Sequence, residues 1–96
     1  MKRLYVLIDK KLNPIYGCVQ GGHAVAQYML EHKDWSNEYL IYLSADIEHE
    51  EEKLSLLGKD FSIFKEPDLD NKTTAIAVVV DDGSLFKKLE LVSMGV

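Results

Sequence analysis

The chain has a single cysteine, Cys18, among 96 residues, so no disulfide forms within it. A lone thiol suits a reducing compartment, and the expected location is the cytoplasm. Long hydrophobic runs are missing as well; none approaches the ~18 residues that a membrane span needs. The apolar stretch 4–8 after Met1-Lys2-Arg3 stops at Asp9-Lys10-Lys11, too short for a signal-peptide core. Neither a leader nor a membrane partner is expected. Paired metal-ligand spacings are absent too. Cys18, His23, His32 and His49 fit neither a CxxC nor an HExxH pattern, so no metal or other cofactor is expected. Cations are scarce: 11 Lys and Arg face 16 Asp and Glu, for a net charge of −5. That excludes a broad, non-specific grip on nucleic acid, which rests on neutralising phosphates. A local basic site stays open, because Lys2, Arg3, Lys10 and Lys11 meet only Asp9 in the first eleven residues. Either this part faces an anion or its charges are a solvated surface.

Apolar material is ample: 47% of residues are hydrophobic and 28% charged. A chain of this size buries one core, so residues 1–96 are expected to form one domain. The run 4–8 is continuous and rich in β-formers, and reads as a central strand buried on both faces. Leu12-Asn13-Pro14 reads as a loop, because proline biases the residue before it away from the α region. A helix is predicted from about Tyr16 or Gly17 to His32. Val19, Gly22 and His23, Ala26, and Met29 and Leu30 recur at helical spacing and form its expected inward stripe. A strand over 38–44 follows, then a helix capped by Ser44 or Asp46, with Ile47, Leu54 and Leu57 inward and Gly58 at its end. Residues 61–64 read as a short strand and 65–71 as a polar loop. Residues 73–80 read as a central strand, ended by Asp81-Asp82-Gly83, with a final short helix capped by Ser84. The alternation implies an α/β fold in three layers: a mixed, four-stranded sheet with helices packed on it.

Three groups of residues could carry chemistry. The first is Val19-Gln20-Gly21-Gly22-His23-Ala24. Two adjacent glycines inside a helix cost roughly 1 kcal/mol each against alanine. Either another backbone packs close there or a ligand approaches. Gln20 and His23, three apart, share one side of the helix, although a histidine on an inward stripe also serves as a core residue with one hydrogen bond. The second group is Glu66-Pro67-Asp68-Leu69-Asp70-Asn71, followed by Thr73-Thr74, where carboxylates near hydroxyls could orient a water. Asp70 and Asn71 suit turn hydrogen bonds better. The third is Asp9 with Lys10 and Lys11. Ligands collect beyond the carboxyl ends of strands in open α/β sheets, and lysines ahead of a helix suit an anion. Cys18 lacks a neighbouring base, and Trp35, Tyr39 and Tyr42 read as packing residues.

Together these segments resemble the type 2 peptidyl-tRNA hydrolase family. In that family a strand ends in Asp-Leu-Lys and a helix opens with an Ala-Gln-Cys/Gly-x-His-Ala pattern. Here the corresponding text is Val6-Leu7-Ile8-Asp9-Lys10-Lys11-Leu12 and Val19-Gln20-Gly21-Gly22-His23-Ala24, with no gap between Asp9 and Gln20. Thr74-Ala75-Ile76-Ala77 resembles the family's Thr-Val-Leu-Gly strand, and the order of elements agrees over most of the chain. The resemblance implies metal-free hydrolysis of the ester joining a peptide to the 3′ end of tRNA. It implies catalytic roles for His23, for Glu66 or Asp68, and for Thr74. Asp9, Lys10, Lys11, Tyr16, Gln20 and Gly21 would then contact the ligand. The sequence also departs from the family. Tyr16 stands at the family's lysine position, Pro14 where another lysine often stands, and the arginine of the acidic loop is gone. Two readings follow: a divergent peptidyl- or aminoacyl-tRNA hydrolase, or a pocket that binds a nucleotide-like small molecule or a partner protein without turnover. Under either, an isologous homodimer fits a small domain with an apolar face to share.

Overall fold

The computed structural model describes residues 2–81 and 83–92. Met1 of the basic N-terminal triad and Asp82 of the turn expected after the 73–80 strand lie outside the described residues. The elements are β1 (Arg3–Asp9), α1 (Pro14–Glu31), β2 (Tyr39–Ala45), α2 (Ile47–Leu56), β3 (Phe61–Glu66), β4 (Lys72–Val79) and β5 (Glu90–Leu91). They form an α/β fold with two helices and one mixed sheet in the order β3-β4-β1-β2-β5. The sheet has five strands, not four. The predicted C-terminal helix is instead a single 3₁₀ turn, Gly83–Phe86, after which the chain adds β5 to the edge of β2. Phe86 still reaches the core, so the apolar signal was sound but too short to sustain a helix.

β1 pairs parallel with β2 and antiparallel with β4. Its side chains alternate between two cores, as the strand period of two requires. Tyr5 and Leu7 join Leu43, Ile76, Val78 and the α2 residues Ile47 and Leu54 on one face. Leu4, Val6 and Ile8 join Ala75, Ala77, Trp35 and the α1 residues Ala24 and Tyr28 on the other. The two helices therefore cover opposite faces of the sheet. Trp35 is buried, which makes it a packing residue as expected.

Both helices are capped by their own sequence. Asp46 accepts a hydrogen bond from the His49 backbone N–H at 3.3 Å, and Gly58 takes the left-handed conformation just past α2. Leu57, expected inward, is instead exposed beyond the last turn of α2. Asn13 caps α1, with Oδ1 accepting from the N–H groups of Ile15 and Tyr16, and Pro14 occupies the first helical position. Proline suits that position because the first turn has no partner for its N–H. The helix thus begins earlier than predicted.

The inward stripe of α1 differs from the prediction. Gly17, Gln20, Gly21, Ala24 and Tyr28 face the sheet. Val19, Gly22, His23, Ala26, Met29 and Leu30 are exposed. Volume decides the matter. A Cβ on Gly21 would lie 2.6 Å from the Tyr42 ring and 3.0 Å from both Val6 and Ile8; one on Gly17 would lie 2.9 Å from Ile8. Only small residues let α1 approach the sheet this closely.

Candidate active site

The amino end of α1 lies against the end of β3 and the start of β4, and three separate segments meet there. Tyr16, Gln20 and His23 recur at intervals of four and three, so they share one flank of the helix. Glu66 ends β3, and Thr74 lies near the start of β4.

Thr74 is aimed by an irregularity in the sheet. The β3–β4 register pairs Phe64 with Ala75 but Lys65 with Thr73, which leaves Thr74 as the extra residue of a bulge. A bulge interrupts the alternation of side chains and re-aims one of them. Thr74 accordingly turns toward α1, and its hydroxyl donates to Gln20 Oε1 at 2.6 Å. Gln20 Nε2 donates to Glu66 Oε1 at 3.3 Å, and the Tyr16 hydroxyl donates to the same oxygen at 3.0 Å. The carboxylate fixes the orientation of the amide, because only the Nε2 side has protons to offer Glu66. Gln20 is 2% exposed and Thr74 fully buried. A buried polar pair is therefore satisfied internally and connects to a half-buried carboxylate at the surface. Partial burial, the bond to Glu66 and the nearby charges of Glu66 and Asp68 all raise the Tyr16 phenol above its ordinary range. Tyr16 therefore remains a protonated donor.

His23 lies outside this hydrogen-bonded chain. Its exposed ring stacks on Phe64, with centroids 4.4 Å apart and planes inclined by 15°. The stack holds the imidazole on the same flank as Tyr16 and Gln20, with solvent access on its outer side. Phe64 was not singled out in the sequence; only its place two residues before Glu66 pointed to it.

The other candidates lie outside this hydrogen-bonded chain. Gly21 offers no room for a guest, because Tyr42, Val6 and Ile8 press on it. Gly22 faces open space. Asp9 is buried; its Oδ1 accepts from the Lys11 backbone N–H at 2.9 Å and its Oδ2 pairs with Lys72 Nζ at 3.3 Å. That pair ties the end of β1 to the start of β4 and engages Lys72. Lys10 and Lys11 are exposed. Asp68 is exposed in a 3₁₀ turn, Pro67–Leu69, and reaches Tyr16 only through its charge. Asp70 and Asn71 take left-handed backbone conformations at the following turn, as their turn chemistry implied. Among the described residues, the chain from Thr74 to Tyr16 contains no ammonium group.

Two cavities open at this same end of the sheet but on other residues. One, about 760 Å³, is lined by Lys10, Asp46, His49, Lys53, Lys87 and Lys88, among others. Lys53 is engaged there, 2.7 Å from the buried carboxylate of Glu50 and 2.8 Å from the Leu85 carbonyl oxygen. The other, about 240 Å³, lies beside Asp9, Lys11, Lys72 and Thr73. Of these lining residues, Lys87 and Lys88 left only a basic doublet in the sequence as a signal. Among the described residues, no three His, Cys, Asp or Glu side chains are grouped to hold a metal ion. No described helix is long and apolar enough to cross a membrane.

No family model, curated protein or solved structure matches the chain.

Proposed function

We propose that this protein is a divergent peptidyl- or aminoacyl-tRNA hydrolase, with Glu66 as its general base. The observation that carries the reading is the Thr74–Gln20–Glu66–Tyr16 chain. Four residues drawn from one helix and two strands converge, and one carboxylate oxygen receives two donors. That arrangement holds Glu66 by Oε1, and in this reading Oε2 binds the attacking water. Glu66 takes a proton from the water, and the resulting hydroxide attacks the ester carbonyl carbon. A tetrahedral oxyanion forms, then collapses as the ribose oxygen leaves. That oxygen needs a proton, and the exposed imidazole of His23 on the same flank is the group to supply it. Thr74 and Gln20 touch neither water nor ester; they are positioning residues. The sequence resemblance implies roles for Gln20, His23, Thr74 and either Glu66 or Asp68, and three of these residues meet in this chain.

A second reading rests on one observation: among the described residues, the hydrogen-bonded chain from Thr74 to Tyr16 contains no ammonium group. Ester hydrolysis gains from a fixed donor or cation at the developing oxyanion. Without one, the site holds the aminoacyl or nucleotide end of a ligand and does not turn it over.

Incubation of the purified, folded protein with N-blocked aminoacyl-tRNA separates the two. Hydrolysis requires cleavage at the 3′ ester, with kcat falling by ~100-fold or more in Glu66→Gln. Thr74→Val is expected to lower kcat by less and leave KM nearly unchanged. Thermal stabilisation by the substrate without cleavage supports binding alone. Neither cleavage nor stabilisation overturns both.

A further inference from the structure

At the carboxyl ends of β1 and β2 the chain parts in two directions. The strands are parallel neighbours, yet β1 leads into α1 on one face of the sheet and β2 into α2 on the other. In open α/β sheets such a parting leaves a crevice beyond the strand ends, and ligands collect in it. Here the crevice opens into the cavity of about 760 Å³ on the α2 side, a size that suits a small organic molecule. Lys10 follows β1 and is tied to the end of β2, its backbone N–H donating to the Ala45 carbonyl oxygen at 3.0 Å. Lys87 and Lys88 reach the same cavity from the segment after the 3₁₀ turn Gly83–Phe86. Phe86 anchors that segment, buried with its ring centroid 5.1 Å from that of Tyr5.

We propose that this cavity binds a small organic phosphate. Four lysines line it against three carboxylates, in a chain whose net charge is −5. One of those carboxylates, Glu50, is 3% exposed. Burying a carboxylate is costly unless it is paired. Its Oε1 lies 2.7 Å from Lys53 Nζ, an ion pair whose angles are not those of a hydrogen bond. Lys53 Nζ also donates to the Leu85 carbonyl oxygen at 2.8 Å and lies 5.1 Å from the Phe86 ring centroid. These contacts fix an ammonium in the cavity wall. An ammonium has three N–H donors; the carbonyl takes one, so donors remain for a ligand. Lys10, Lys87 and Lys88 are exposed, and among the described residues none of them is ion-paired. With Glu50 matched by Lys53, these three ammonium groups outnumber Asp46 and Glu90, and Asp46 is occupied in capping α2. One oriented ammonium and three on pliant stems suit a phosphate, whose charge is spread over several oxygens. Ala45, Leu85 and Leu89 add apolar wall, which suits an organic body attached to the phosphate. None of these residues belongs to the Thr74–Gln20–Glu66–Tyr16 chain, so this site does not rest on the hydrolase reading.

Chemical-shift mapping of the isotope-labelled intact chain tests this, with inorganic phosphate, adenosine diphosphate and a short single-stranded RNA as probes. Adenosine diphosphate is expected to shift the backbone amides of Lys10, Asp46, His49 and residues 87–90. It should bind more tightly than inorganic phosphate, because it also covers the apolar wall. Lys87→Ala combined with Lys88→Ala should weaken it roughly tenfold or more. Both side chains are exposed, so the circular dichroism spectrum should not change. Glu66→Gln should bind the diphosphate as wild type does, whether or not the protein cleaves an ester. The proposal is overturned by no shift at these amides with millimolar diphosphate, or by shifts gathered at Tyr16, Gln20 and Glu66 instead. A double variant that binds as tightly as wild type overturns it too, as does inorganic phosphate that binds as tightly as the diphosphate. RNA that moves the same amides at lower concentration would make the occupant a nucleic-acid backbone and overturn the assignment to a small molecule.

Discussion

The two helices pack against opposite faces of one sheet but are built on different terms. α2 meets water with Glu48, Glu51 and Glu52 and the core with Ile47 and Leu54. α1 meets water with Ile15, Val19, Met29 and Leu30, and the sheet with Gly17, Gly21, Ala24, Gln20 and Tyr28. In α2 most of the larger apolar side chains mark the buried face, Leu56 in its last turn being exposed. In α1 they mark the opposite one, because closeness to the sheet rather than apolar area determines its inner face. Apolar periodicity marks a face of a helix, but not whether that face is the one that meets the sheet.

The two adjacent glycines of α1 break the comparison most sharply. Gly21→Leu should be the most damaging single change, because even its Cβ would press on Tyr42, Val6 and Ile8. Overpacking there is expected to cost at least ~3 kcal/mol, read as a lower denaturant midpoint. Gly22→Ala, one residue away, should instead stabilise the single copy by up to ~1 kcal/mol, since it meets open space and gains helix propensity. Equal effects from the two substitutions would refute the assigned inner face.

Thr74→Val comes next. It leaves the Gln20 carbonyl oxygen buried without its donor, at an expected cost of ~1–3 kcal/mol in chemical denaturation. On the α2 side the buried polar group is a carboxylate, Glu50, paired with Lys53, so this change probes a neutral hydrogen-bonded pair on the α1 side.

Tyr28 gives a pH-dependent effect. Burial, and then its hydrogen bond to Asp34 at 2.7 Å, raise this phenol above its ordinary value of 10.0. The folded state therefore holds the proton more tightly than the unfolded chain does. The stabilisation is whole below the ordinary phenol range and is lost as pH rises through and beyond it. Tyr28→Phe should cost ~1 kcal/mol at neutral pH and flatten the alkaline fall in stability, measured by urea unfolding between pH 8 and pH 11. A wild-type alkaline limb no steeper than that of the variant would contradict this.

The smallest effect is expected on the outer face of α2. Glu52→Ala should change stability by no more than about 0.5 kcal/mol and leave the sedimentation mass as in wild type. A large change in either would mean that Glu52 contributes a contact beyond its exposed position.

Much of this was legible in the sequence. β1 and β4 could be placed because continuous apolar runs rich in β-formers have few alternatives to a buried strand. Asp46 and Gly58 signalled the ends of α2 through local backbone chemistry. Gln20, His23, Glu66 and Thr74 were legible as candidates, but their relations were not. The bulge that turns Thr74 toward Gln20 depends on how β3 and β4 pair, and that pairing is set by residues far apart in the chain. Sequence spacing gave Gln20 and His23 equal standing, whereas in the fold Gln20 is buried in the hydrogen-bonded chain and His23 stays outside it on Phe64. β5 was missed because two residues are too few to show a period; only the exposed edge of β2 makes a strand of them.

By itself, then, the sequence determined the local matters: the longer strands and helices, the ends of α2, and which residue types are available for chemistry. These follow from forces acting over a few residues, namely side-chain period, backbone sterics and capping hydrogen bonds. The tertiary structure alone decided which face of α1 touches the sheet, which carboxylate joins Gln20, and which lysine Asp9 engages. Those outcomes depend on volumes and distances between segments tens of residues apart, and close packing allows only one arrangement of them.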